Sequence, residues 1–166
     1  MAPFQSAVAS DLARQAFALR ARFPEAKTKL TPTRLVWIGK LQPNTASRMY
    51  TVRVTLGGGQ YPRVEVLDPV LEARPGESIP HLFGDGSLCL HLEDEWRANM
   101  LMVDTTVPWI AEWLLNYEIW KATGTWYGGG EWPPRRHDPD DDGSSAGPPS
   151  LAAEEFRAKM ETRHVQ

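Results

Sequence analysis

The run Tyr50-Thr51-Val52-Arg53-Val54-Thr55-Leu56 constrains the fold more than any other stretch of the chain. Side chains alternate across a strand, so Tyr50, Val52, Val54 and Leu56 face one way and Thr51, Arg53 and Thr55 the other. Such a strand has one face to bury and one to solvate, and it needs neighbours on its edges. Residues 34–39 (RLVWIG) and 61–67 (YPRVEVL) are rich in β-branched and aromatic types and can supply them. Gly57, Gly58 and Gly59 lie between the second and third runs, where a hairpin loop calls for positive φ. The pattern predicts an antiparallel meander of three strands over 34–39, 48–56 and 61–67.

The buried face of that meander requires cover. Phe4, Val8, Leu12, Ala16, Leu19 and Phe23 recur at spacings of three and four and make one helical face over residues 4–23. Arg14, Gln15, Arg20 and Arg22 fall largely off that face, and Pro24 ends the helix. A second helix is predicted over 106–121, with Thr105 or Thr106 as its cap, Pro108 in its first turn and Gly124 as its stop. Val107, Ile110, Leu114 and Tyr117 form one stripe, and Trp109, Trp113 and Trp120 a neighbouring one, which calls for packing on more than one side. Residues 68–96 lack a period and are punctuated by Pro69, Pro75 and Pro80. Helix, meander, irregular segment and helix make an α+β pattern.

Charge and composition narrow the classes. The net charge of −3 gives no basic field, so nucleic acid is not an expected partner. No apolar run approaches the roughly 18 residues that span a bilayer. The opening MAPFQSAVASDLARQ does not read as a secretory signal. One cysteine excludes a disulfide framework and a cysteine-cluster zinc site, and a cytoplasmic, reducing location is expected. At 137–150 (HDPDDDGSSAGPPS) the composition shifts to linker chemistry. Residues 1–137 carry 15 basic and 14 acidic side chains, whereas 138–166 carry 3 and 7, so the acidity belongs to the tail. Three units are expected: a folded domain over 1–136, a linker over 137–150, and a tail over 151–166 in which 151–163 can form a short helix.

Chemistry concentrates in PHLFGDGSLCLHLEDEW, residues 80–96. Cys89 is a potential thiolate nucleophile, and His81 and His91 are the nearby residues able to activate it. On composition alone an isolated cysteine between Leu88 and Leu90 reads first as an inert small hydrophobe. The spacing of Cys89 and His91 is thin for a metal site, so neither metal nor cofactor is expected. Gly57–Gly59 is not followed by a helix or a Gly-Lys-Ser/Thr, which disfavours a phosphate cradle.

These residues resemble the ubiquitin-conjugating enzyme superfamily over about 4–121. YPRVEVLDPVL (61–71) is similar to the family's stretch from Tyr-Pro to Pro-Val, His81 to the His of its His-Pro-Asn motif, and GDGSLCL (84–90) to the segment bearing the catalytic Cys. Trp96 matches the Trp seven residues beyond it. The ending YEIWKATGTWYGGGEWP (117–133) resembles bacterial members from cyclic-oligonucleotide anti-phage (CBASS) systems, which act on a cGAS-like nucleotidyltransferase.

The resemblance implies a conjugating-enzyme-like domain over 1–136 and an acyl carrier, Cys89, that accepts a protein C-terminus as a thioester. It hands that group to an amine or thiol. The C-terminus belongs to a ubiquitin-like modifier or a cGAS-like nucleotidyltransferase, loaded by an activating enzyme. His81 is implied to fix the loop, Trp96 to pack beneath it, and Asp94 to orient or deprotonate an incoming amine. Gly84, Gly86, Ser87, Leu88 and His91 complete the active-site loop. His81-Leu82-Phe83 stands where the family has His-Pro-Asn, so the oxyanion-holding Asn is absent; backbone N–H groups of Gly84–Leu88 are expected in its place. The alternative is a catalytically inactive binding module of the same fold.

Overall fold

Helix α1 spans Pro3–Arg22 and stops where Pro24 disfavours another helical residue. The computed structural model describes residues 3–57, 61–91 and 95–129. Along α1, Leu12, Ala16 and Leu19 are buried, as their spacing predicts. Gln15 departs from the prediction, because it is buried with them. Its Nε2 donates to the Met100 carbonyl at 2.6 Å and its Oε1 accepts the Met102 N–H at 2.8 Å. One amide thus satisfies two backbone groups of a passing segment, which repays its burial. Arg14 adds bonds of 3.3 Å to the carbonyls of Ala98 and Asn99.

The sheet has four strands rather than three: β1 (Lys27–Leu30), β2 (Arg34–Leu41), β3 (Tyr50–Gly57) and β4 (Arg63–Asp68), antiparallel in the order β1-β2-β3-β4. The strand missed by the sequence pattern, KTKL, lies on an edge with three of its four residues exposed, so it carries no apolar alternation. The central strand β3 shows the predicted alternation, with Tyr50, Val52, Val54 and Leu56 buried. On β2, Leu35, Trp37 and Leu41 join them. Gly39 shares their face, and a Cβ built there would lie 2.2 Å from the Trp37 ring. Glycine in mid-strand therefore makes room for the indole. The expected glycine loop falls at Gly57 and beyond, and Gly58 and Gly59 lie outside the described residues.

Helix α2 spans Thr106–Thr123 and buries Val107, Ile110, Leu114 and Tyr117 together with Trp113 and Trp120, so both predicted stripes face packing. Thr105 holds the N-cap position without a side-chain cap bond; its hydroxyl donates to the Leu101 carbonyl at 2.9 Å instead. At the other end Gly124 takes φ +81° and donates to the Trp120 carbonyl at 2.8 Å, the expected stop. The segment after β4 is fastened along α2. Tyr117 Oη accepts the Glu72 N–H at 2.8 Å, Lys121 pairs with Glu72 at 2.8 Å, and Arg74 donates to the Lys121 carbonyl at 3.1 Å, where the helix end lacks donors. The chain is thus α+β: an N-terminal helix, a four-strand antiparallel sheet and a later helix. Among the described residues no helix is long and apolar enough to cross a membrane.

Candidate active site

The segment that follows is irregular by element but is strictly held. Leu82 bridges Leu88, Phe83 N–H donates to the Ser87 carbonyl at 2.9 Å, and Gly86 N–H donates to the Phe83 carbonyl at 2.9 Å. This small hairpin turns through Phe83-Gly84-Asp85-Gly86, and Gly86 takes φ +81°, the left-handed residue that three-residue hairpin loops use. The hairpin is pinned to the edge of β4. Ser87 bridges Glu65, and Leu88 N–H donates to the Val64 carbonyl at 2.9 Å.

Asp85 locks the turn. Its Oδ1 accepts Ser87 N–H at 3.0 Å and Ser87 Oγ at 2.6 Å, while Oδ2 meets Arg63. Those two bonds from Ser87, followed by the Arg63 guanidinium, hold the Asp85 carboxyl down at about 2. Arg63 belongs to a chain of charges on the outer sheet face, since Glu65 also meets it and pairs with Arg53 at 2.8 Å.

Cys89 follows directly and is half-buried, between buried Leu88 and half-buried Leu90. Its N–H donates at 2.9 Å to the His81 carbonyl, which also accepts Trp113 Nε1 at 3.0 Å. A helix indole thereby fixes the backbone to which the cysteine is tied. His81 is buried, takes φ +52°, and stacks its ring on Trp126 at 5.1 Å between centroids. A non-glycine residue in that region carries about 1–3 kcal/mol of strain, sustained only where the surroundings over-determine it. Burial holds the His81 imidazole below its ordinary value and pushes the Cys89 thiol above its own. His81 is therefore neutral at neutral pH and lends the sulfur no charge, and Cys89 rests as a thiol.

The other expected residues fall around this point. His91 is half-buried between Tyr61 and Trp109, at 5.7 and 5.3 Å between ring centroids. Trp96 is buried, edge-on to Tyr61 at 6.3 Å. Gly84 is exposed at the turn. Asp94 and its neighbour Glu93 lie outside the described residues. The expected set of backbone donors is narrower than the sequence suggests. The amides of Gly86, Ser87 and Leu88 are consumed by Phe83, Asp85 and Val64, so among the described residues Gly84 and Asp85 keep undonated N–H groups. Four residues that hold the loop escaped sequence reasoning: Arg63, Asp85, Trp113 and Trp126. Asp85-Gly86-Ser87 is a readable turn signal; the others become partners only through tertiary folding. Among the described residues no three His, Cys, Asp or Glu side chains converge as a metal would require.

Residues 15–134, well over half of the chain, match the family model described as Type II CBASS E2 protein. No curated protein matches the sequence.

Proposed function

The chain belongs to the Type II CBASS E2 protein family, and on that premise we propose that Cys89 is the acyl-carrying nucleophile of a ubiquitin-conjugating-like transferase. Family membership gives the chain a role in CBASS anti-phage systems and, at the coarse level, conjugating-type chemistry with other CBASS components as partners. The finer reading takes residues 1–136 as the conjugating-like domain, 137–150 as a linker and 151–166 as a tail. It rests on one observation. Cys89 is half-buried at the foot of a hairpin that β4 holds on one side and His81 and Trp113 hold on the other. A nucleophile that must meet a bulky protein thioester gains from such fixed placement.

Two steps follow. Cys89 thiolate attacks the carbonyl carbon of a thioester on an activating partner; a C–S bond forms, the tetrahedral oxyanion collapses, and the partner's thiolate leaves. An amine nitrogen then attacks the Cys89 thioester and gives up a proton, and Cys89 Sγ leaves as thiolate; a thiol acceptor gives exchange instead. The transferred group is a protein C-terminus, that of a ubiquitin-like modifier or of a cGAS-like nucleotidyltransferase. The oxyanion needs preorganised donors, worth about 3–4 kcal/mol each. The N–H groups of Gly84 and Asp85 are the loop amides free to serve. Because burial raises the Cys89 pKa, the thiol gives up its proton only in the encounter or at higher pH. Asp94 orients or deprotonates the amine, and Asp94→Ala retains loading while losing aminolysis.

The test is direct. The protein is mixed with an activating partner and either a CBASS nucleotidyltransferase or a ubiquitin-like protein. A reductant-sensitive adduct lost in Cys89→Ala supports the carrier; an adduct that survives reductant yet needs Cys89 marks onward transfer to an amine. If no partner loads Cys89, the second reading stands, a binding module of the same fold. The raised thiol pKa is the observation that favours it.

A further inference from the structure

The strand residues that alternate with the core point away from both helices, and that outer face is basic. Lys27 and Lys29 of β1 pair in register with Ile38 and Val36 of β2, and Ile38 in turn with Arg53 of β3. Arg34 and Lys40 extend the face along β2, and Arg63 carries it onto β4. Its acids are Glu65 and Asp68, the first paired with Arg53, while Arg63 takes Asp85 from the hairpin. Among the described residues Lys27, Lys29, Arg34 and Lys40 form no ion pair, so four uncompensated cations surround half-buried Val36 and Ile38.

The sequence holds the complement. Residues 138–166 carry seven acidic and three basic side chains, opening with Asp138, Asp140, Asp141 and Asp142. We propose that this acidic tail docks on the basic outer face of the sheet, its four aspartates set against the four unpaired cations. The first of them lies nine residues beyond Gly129, about 30 Å of extended chain. A domain of this size is about 35 Å across. Asp142 lies thirteen residues beyond Gly129, about 44 Å of extended chain, which is length to round the sheet edge from the α2 side, where Gly128 lies against Trp126 and Asn116. Exposed ion pairs are individually weak, but a tether sets the tail's effective concentration in the millimolar range. The docking does not depend on the chemistry of Cys89.

Of the five lysines, Lys27, Lys29 and Lys40 lie on the outer face, Lys121 lies on α2 and Lys159 in the tail itself. A zero-length carbodiimide joins only carboxylates and amines in contact. Applied to the full chain in low salt, it is expected to link Asp138–Asp142 to Lys27, Lys29 or Lys40, with the Glu72–Lys121 pair at 2.8 Å as the internal positive control. Those links should fall at least about fivefold in 0.5 M salt, where screening shortens to a few ångströms. They should also weaken in Arg34→Gln, which removes one of the four unpaired cations at an exposed strand position and leaves every carboxylate and amine that the reagent joins. A mixture of 15N-labelled and unlabelled chains distinguishes the source: links within one label support the proposal. Mixed-label links, no links beyond the control, or tail links to Lys121 as frequent as to the sheet lysines would each overturn it.

Discussion

The inner face of the sheet and the segment carrying Cys89 are held by different forces. The inner face is apolar throughout, with Leu35, Trp37, Val52, Val54 and Val64 all but inaccessible. Burial of this kind is strong but undirected, and it tolerates small shifts. The hairpin over 82–88 buries Leu88 but owes its shape to directed bonds: Gly86 to Phe83, Ser87 to Asp85, Leu88 to Val64 and Cys89 to His81. Damage to the first region should therefore appear as lost stability, and damage to the second as altered behaviour of the thiol in a protein that still folds.

The largest effect belongs to the core. Trp37→Ala removes a fully buried indole and is expected to cost about 3–5 kcal/mol, read by urea denaturation. Iodoacetamide should modify Cys89 in the surviving folded fraction at the wild-type rate, and a large change in that rate would dissolve the division between the two regions. Next comes Gly39→Ala. The added methyl would meet the Trp37 ring at 2.2 Å, and overpacking of this sort costs about 1–3 kcal/mol. A neutral result would mean that the indole repacks freely.

The two regions also differ in how far the sequence discloses them. Alternation along β3 and the stripe of α1 are visible because burial selects side chains at fixed periods. So is the end of α2 at Gly124, because the left-handed cap favours glycine. β1 is hidden, since an exposed edge strand needs no apolar residues. Gln15 reads as a surface residue because its partners, Met100 and Met102, lie 85 and 87 positions away. In the candidate site, Cys89 and His81 stand out by type. That the His81 carbonyl, and not a charged ring, engages the cysteine backbone is a tertiary fact. Arg63 likewise gives no sign in its own strand of the Asp85 it will hold.

A smaller effect separates the regions by pH. Burial depresses the folded-state pKa of His81, so its neutral form is favoured by folding. The stability this reflects is present above the unfolded value near 6.5 and is lost as pH falls below it toward the folded value. Asp85, held at about 2 against an ordinary 3.8 but exposed to water, loses only a small, screened share as pH falls through that lower range. Thermal midpoints should thus decline from neutrality toward pH 5, and His81→Gln should flatten that decline while sparing the fall below pH 4. A decline unchanged in His81→Gln would assign it to other groups.

The smallest change in stability and the sharpest test of the comparison is Asp85→Asn. Asp85 is exposed, so its ion pair with Arg63 is screened by water and adds little to global stability. Its bonds to Ser87 nevertheless set the turn from which Cys89 hangs. With the charge removed, the hairpin opens more often while the apolar frame stays closed, because local openings draw on local bonds. Each opening solvates the sulfur and relieves the burial that raises its pKa. The alkylation rate at neutral pH should then rise roughly two- to fivefold, and the midpoint of its pH profile should move down toward that of an ordinary thiol. The thermal midpoint should scarcely move. If it instead falls as far as in Gly39→Ala, the hairpin unfolds together with the sheet, and the pins that orient the thiol are part of the cooperative core.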